Sequence, residues 1–329
     1  MPELEITAPV DLCTADGRLD PAAVGWSRRP LHRTRIPGWG RRKRWEYWGL
    51  VTPRHVVGLT VSSIDYAGVE SVYVLDRATG QESSTDAVVP LALGVALPLR
   101  SGTGRAAVTA GDLRIELVEV AEGTRLRART PDLVLDVVAI AFEGHESMAV
   151  VVPWSERRFQ YTVKDVGRPL VGRVQVHGTA YDLDPSDSFG VLDHGRGVWP
   201  YAITWNWGAG AGVLDGRRVG VQVGGRWTDG TGSTENALIL DGVVHKHSAD
   251  LVWEYDTADW LAPWRIHGPG VDLVFTPEHE RAARTDLLVV ANETHQCFGR
   301  WFGTMTDDTG RPVSVDGAYG WAEQAANRW

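Results

Sequence analysis

Residues 187–212 read DSFGVLDHGRGVWPYAITWNWGAGAG, a stretch that brings together an Asp-His pair, an arginine, a tyrosine and three tryptophans. Asp193 and His194 offer acid, base and hydrogen-bond chemistry near neutral pH. Arg196 presents a planar fork of donors suited to a carboxylate, phosphate or enolate oxygen, or to an ion pair with Asp187, Asp193 or Glu235. Trp199, Trp205 and Trp207, with Tyr201, supply flat apolar surface with polar atoms at the rim, which suits the wall of a pocket for a greasy ligand. The same residues would also serve as a strand-end hydrogen bond and a Trp core.

On a strand, neighbouring side chains point to opposite faces. His194 is expected to face the cavity, with Asp193 outside or aiming it, unless a bulge at Gly195 breaks the alternation. The reverse assignment, a buried Asp193 with a raised pKa acting as proton donor, stays open. Trp205 and Trp207 share a face and Asn206 takes the other, and the Trp face is expected to be buried. The run DGTGSTEN at 229–236 lacks the lysine and hydroxyl pattern of a phosphate loop, so it reads as a turn returning Glu235 or Asn236 to the pocket. His245 and His247 have one-face spacing without a third ligand nearby, and no metal or other cofactor is expected.

These residues need β-structure to position them. The chain has 15 Trp and 37 Gly, against 6 Phe and 3 Met, a balance that suits pleated surfaces punctuated by turns. Short β-prone runs follow one another, among them 44–51, 55–64, 69–75, 93–99, 113–120, 134–142, 201–207 and 218–224, and Leu113–Val120 alternates with period two. Asp241-Gly242 between two such runs marks a hairpin. Helix is expected only at 279–284 and, as a capping turn, at 320–328. Residues 1–37 read as a partly ordered arm, 38–167 and 168–329 as two β-domains joined by the polar connection Lys164–Pro169. Each domain is expected to be an antiparallel barrel or sandwich.

At 329 residues, two domains are favoured over one. A net charge of −9 opposes a nucleic-acid footprint, and the basic run Arg41–Arg44 reads as a solvated loop or edge strand. Two distant cysteines, Cys13 and Cys297, suggest neither a disulfide framework nor a zinc knuckle and fit a reducing cytoplasm. No apolar stretch approaches the roughly 18 residues of a membrane span, so no stable membrane insertion is expected.

KRWEYW at 43–48, LDHGRGVWPY at 192–201 with WNW at 205–207, DGTGSTENA at 229–237, GRWFG at 299–303 and GWAE at 320–323 together resemble the domain of unknown function 2804 family over nearly the whole chain. The resemblance implies a distant likeness to two-domain lipocalin-like proteins, including carotenoid hydratases, tocopherol-cyclase-like enzymes and Diels-Alder-type cyclases. Where carotenoid hydratases commonly carry Trp two places after the His, this chain has Arg196, which points away from a long polyene and toward a ligand with a polar or anionic group. The expectation is a cofactor-independent acid-base enzyme, a hydratase, isomerase or cyclase, acting on a hydrophobic or amphipathic small molecule such as an isoprenoid, lipid or polyketide. A non-catalytic carrier of such a ligand is the alternative, and a scaffold whose Trp residues are all core is a third.

Overall fold

A computed structural model describes residues 3–287 and 290–328. Among them the only helical turn is Pro21–Ala23; the rest of the regular structure is strand, in a 13-stranded sheet, a 10-stranded sheet and a two-stranded pair. The first sheet orders Glu82–Pro90, Ala67–Asp76, His55–Ser63, Arg42–Val51, Phe189–Val198, Arg158–Val176, Leu133–Ile140, Gly123–Arg129, Leu113–Val120 and Arg105–Ala110. Val72 and Val74 from near one end share a core with Ala106 and Val108 from the other, so this sheet curls into a near-barrel. The second sheet is centred on Ala202–Leu214, Tyr319–Arg328 and Val290–Thr306 and encloses Val221, Leu238, Trp264, Phe275 and Trp301. This is an all-β, two-domain lipocalin-like architecture.

A third core lies between the two sheets, where Met148, Val166 and Val191 of the first meet Trp207, Ala209, Phe298 and Trp321 of the second. A fourth pins the N-terminal segment: Leu12, Leu19, Ala23 and Ile36 pack on Val151, Phe159 and Tyr161. Within residues 3–37, read from sequence as a partly ordered arm, these scattered apolar side chains therefore find one complementary face on the first sheet.

Five other local expectations are corrected. Lys164–Pro169, read as a connection, lies inside the 19-residue strand Arg158–Val176, which bulges between Val166 and Arg168 with Gly167 at φ +84°. The chain passes from one sheet to the other at residues 199–201. Residues 279–284 continue the strand Val271–Leu287, where pairing with Val290–Thr306 overrides helical propensity. Residues 320–328 form a central strand bonded on both sides. Residues 93–99 form turn and loop, with only the bridge Ala96–Ala107, since Gly94 sits at φ +81° and Pro98 lacks a donor. Of the run Arg41–Arg44, Arg41 is exposed, but Arg42–Arg44 enter an interior strand, with Lys43 buried and Arg42 bound to Asp65 at 2.8 Å.

The glycines of DHGRG have a steric cause. A Cβ on Gly195 would stand 2.0 Å from the Trp45 ring, and one on Gly197 would meet the Gln160 side chain at 2.2 Å. Gly195→Ala should destabilise the protein by about 1–3 kcal/mol in denaturant unfolding. In a Trp45→Ala background the same change should cost much less, a coupling that a double-mutant cycle measures.

Candidate active site between the two sheets

The strand Phe189–Val198 keeps strict alternation through Asp193, His194 and Gly195, which pair in unbroken register with Tyr47, Glu46 and Trp45. No bulge intervenes. Leu192 joins the interior core of the first sheet and Val191 the core between sheets. His194 accordingly points into the first near-barrel and Asp193 toward the second sheet. They do not bond each other; the residue that aims the imidazole is Glu46, whose Oε1 lies 2.6 Å from His194 Nδ1.

On the side facing the second sheet, Lys164 and Asp193 are cross-strand neighbours. Lys164 Nζ stands 3.1 Å from Asp193 Oδ1 and 3.3 Å from Glu235 Oε2, while Thr162 Oγ1 donates to Asp193 Oδ1 at 2.9 Å. The ammonium also lies 4.1 Å from the centre of the Trp207 ring. Across the second sheet, Gln296, Glu323, Trp207 and Gly224 form one row of paired residues, and Glu235 covers Gly224, whose Cβ position its side chain fills. Glu323 accepts from Trp205 Nε1 and Gln296 Nε2, both at 2.9 Å. Glu235 accepts from Trp227 Nε1 at 2.6 Å. Trp207 Nε1 donates to Gln222 Oε1 at 3.0 Å, and Tyr47 meets the Trp207 ring edge-on at 5.7 Å.

Three carboxyls and one ammonium thus share a buried space. Carrying three negative charges against one positive charge there would be costly, and protonation relieves it. Burial pushes Glu235 up to about 7, with Lys164 pulling the other way and Asp193 adding to the rise. Burial likewise pushes Glu323 up to about 7 against the pull of the Trp205 hydrogen bond. For Lys164, burial favours the neutral amine, but Asp193 and Glu235 outweigh it and hold the ammonium above its ordinary value. The arrangement places two proton donors usable at neutral pH beside a carboxylate-ammonium pair.

The opposite face of the same strand carries a second network. Arg196 donates to Glu46 Oε1 at 2.8 Å and to the carbonyls of Trp45, Gly195 and Pro98 at 2.7–2.8 Å. Its ion-pair partner is Glu46 and none of Asp187, Asp193 or Glu235. Burial, followed by the Arg196 charge, lowers the His194 pKa. Burial pushes Glu46 upward, yet His194 and Arg196 outweigh it and hold the carboxyl below its usual range. His194 Nε2 is buried without a hydrogen-bond partner.

Of the residues singled out from sequence, the space between the sheets collects Asp193, Trp205, Trp207 and Glu235, with Trp199 stacked 6.0 Å from Trp227. His194 and Arg196 lie behind the strand. Asn206 turns to the other face, donating to the Tyr255 hydroxyl at 3.0 Å and the Glu323 carbonyl at 3.2 Å. Asn236 ties backbone, accepting from Gly224 N at 2.8 Å and donating to the Ala249 carbonyl at 3.0 Å. Tyr201 is about half exposed. His247 Nε2 is 3.0 Å from the Thr306 carbonyl, and no cluster of three metal-ligating residues occurs among the described residues.

Sequence reading missed Lys164, Glu323, Thr162, Gln296 and Trp227. For Lys164, Glu323 and Gln296 the signal was a lone charged or amide residue within a β-prone or small-residue run, as in Tyr161-Thr162-Val163-Lys164 and Trp321-Ala322-Glu323. Such a residue is buried by whatever sheet covers it.

Fold and site together define a two-domain lipocalin-like β-protein with a polar cluster between its sheets. The chain belongs to the family described as a domain of unknown function, DUF2804, whose profile it matches over residues 3–329. Kievitone hydratase from Nectria haematococca is similar in structure, with a TM-score of 0.51 at 11 % identity over 86 % of this chain and 88 % of that one. A putative AttH from Nitrosomonas europaea gives 0.49 at 14 % identity over 87 % and 92 %. No curated protein matches the sequence. Among the described residues, no helix is long and apolar enough to cross a membrane.

The raised carboxyls set a pH dependence. Between the ordinary glutamate value of 4.5 and about 7, the folded state keeps protons that the unfolded chain has released, so this contribution to stability falls as pH rises through 7. Glu235→Gln removes one such group. Its stability relative to the parent should improve by about 3 kcal/mol between roughly pH 4 and pH 8, read by urea unfolding. Lys164→Met, which strands the carboxyls, should instead cost about 3–5 kcal/mol at neutral pH.

Proposed function

We propose that this chain is an acid-base enzyme, a hydratase, isomerase or cyclase, acting on a hydrophobic or amphipathic small molecule between the two sheets. The observation that carries the reading is the pair of buried carboxyls, Glu235 and Glu323, each held by an indole N–H and each pushed up to about 7 by burial beside the Asp193–Lys164 pair. In this scheme one glutamic acid delivers a proton to a double bond or carbonyl of the substrate. The Trp205 and Trp207 faces stabilise positive charge that develops on carbon. Asp193, aimed by Thr162, then takes a proton from a water that adds its oxygen to the cation, giving hydration, or from an adjacent carbon, giving isomerisation or ring closure with loss of that proton. Lys164 keeps the cluster electrically balanced as the protons move.

The scheme uses only side chains of this chain. A carrier gains nothing from burying three carboxyls around one ammonium, because the desolvation cost opposes folding and adds no apolar contact. The fold likeness to a protein named as a hydratase agrees with this reading. His194 and Arg196 are assigned a positioning role, since their network holds the reverse face of the strand that carries Asp193.

Intrinsic Trp fluorescence and native mass spectrometry against isoprenoids, fatty acids and polyketides should identify a ligand, and product mass should distinguish added water from rearrangement. Asp193→Asn and Glu235→Gln should each lower turnover by about 10²–10⁴-fold with affinity kept within a few-fold. Binding without turnover in the parent protein would establish the carrier instead.

A further inference from the structure

Four strands of the first sheet, Arg42–Val51, His55–Ser63, Ala67–Asp76 and Glu82–Pro90, share one end, where Arg44 pairs with Ser63 and Ala67 with Pro90. Three chain segments meet there. Gly40 N donates to Asp65 Oδ2 at 2.7 Å, which sets Trp39 close to Tyr66; Leu91 N donates to the Tyr66 carbonyl at 2.8 Å; and Thr34 Oγ1 donates to the Leu99 carbonyl. These segments turn large apolar side chains outward. Trp39 is 66 % exposed, Leu91, Leu93 and Leu99 are 57–70 % exposed, and Tyr66 is 40 % exposed. A single exposed leucine is ordinary, but five large apolar side chains gathered at one end of a near-barrel mark a contact surface.

The backbone under this surface is held against its preference. Leu91 and Ala92 sit at φ +55° and +50°, and Leu93 N bonds the Pro90 carbonyl at 3.2 Å. Asn-Gly is the favoured pair for such a turn, because a left-handed backbone crowds a Cβ. Leucine at this position costs strain and, being exposed, gains no burial in return, so folding alone does not account for it. Charge is also uneven. The chain carries −9 overall, yet over residues 34–41, 64–66 and 90–104 the only carboxylate is Asp65, which is buried 2.8 Å from Arg42 and 3.5 Å from Arg44. Arg35, Arg41 and Arg100 are exposed in the same segments, and none has an ion-pair partner among the described residues.

We propose that this end of the first near-barrel docks on an anionic lipid surface, with Trp39, Tyr66 and the three leucines at headgroup level and Arg35, Arg41 and Arg100 against the lipid phosphates. Trp and Tyr join an apolar body to a polar rim and suit the boundary between lipid and water. The apolar side chains come from separate segments, and a fluid surface takes such a set without the shape complementarity that a protein partner needs. The unpaired arginines supply the attraction that a chain of net negative charge otherwise lacks toward such a surface. The contact is peripheral and spans nothing. It does not depend on the reading of the intersheet cluster, and it goes beyond that reading by naming a surface on which the protein works.

Flotation of the full chain with vesicles of one part phosphatidylglycerol to two parts phosphatidylcholine tests the assignment. Affinity for these vesicles should exceed that for pure phosphatidylcholine by at least about tenfold, and about 0.5 M NaCl should remove most of the difference. Leu91→Asn with Ala92→Gly relaxes the turn and should keep or raise thermal stability. With Leu93→Ser added, vesicle affinity should fall by about tenfold. Arg41→Ser with Arg100→Ser should lower affinity for the anionic vesicles by about tenfold and leave that for pure phosphatidylcholine unchanged. No flotation with anionic vesicles, equal flotation with both compositions, or flotation unchanged in these variants overturns the proposal. So does a dimer that dissociates on the changes at Leu91 and Leu93 without any lipid binding, since the patch would then be a contact between copies of the chain. None of these outcomes touches the intersheet reading, which turnover in Glu235→Gln tests separately.

Discussion

The Lys164 ammonium, shared between Asp193 of the first sheet and Glu235, in the loop that enters the strand Asn236–Leu240 of the second, is the interaction on which the site depends. It is buried, it bridges the two halves of the molecule, and it is outnumbered by carboxyls. That imbalance drives the rest of the electrostatics. With Glu235 and Glu323 protonated, the cluster approaches neutrality, and the indole N–H groups of Trp227 and Trp205 fix which carboxyl oxygens remain acceptors. Moving the sheets apart by an ångström or two would break the Lys164–Glu235 contact while leaving Lys164 paired with Asp193, so Glu235 would lose its ammonium and packing and charge balance support each other.

The strand Phe189–Val198 carries two polar networks back to back. One face presents Asp193 and two glycines to the second sheet; the other presents His194 and Arg196 to Glu46. The glycines are needed because the Trp45 ring lies flat on the strand at Gly195. That indole is in turn one side of the aromatic group formed with Trp199, Trp154, Trp205 and Trp227. The cluster of acids is thereby floored by one sheet, roofed by the other and walled at one end by indoles. The Glu46–His194–Arg196 network ties the reverse of the strand to the Pro98 carbonyl.

Most strands were legible because period-two patterning and turn residues are local. The elements that were misread share a cause. Residues 320–328 have helix-forming composition, yet they pair on both sides with strands about 30 and 115 positions distant, and that pairing exceeds their intrinsic preference. Lys164 looked like part of a connection because charge in a sequence usually marks solvent. Here a second sheet covers the strand, and the charge is buried with partners instead.

From sequence alone, the residue order of DHGRG determined that Asp193 and His194 face opposite ways, since alternation is a property of a single strand. The same local patterning determined an all-β chain with Trp-rich walls, and left Glu235 and Asn236 as alternatives for the residue returning to a pocket. Only the tertiary structure decided that Asp193 meets Lys164, Glu235 and Glu323 while His194 meets Glu46, because each of those contacts depends on strand register or on one sheet packing over another. Register and sheet packing are settled by the summed burial of many distant side chains, and no local window of the sequence contains that sum.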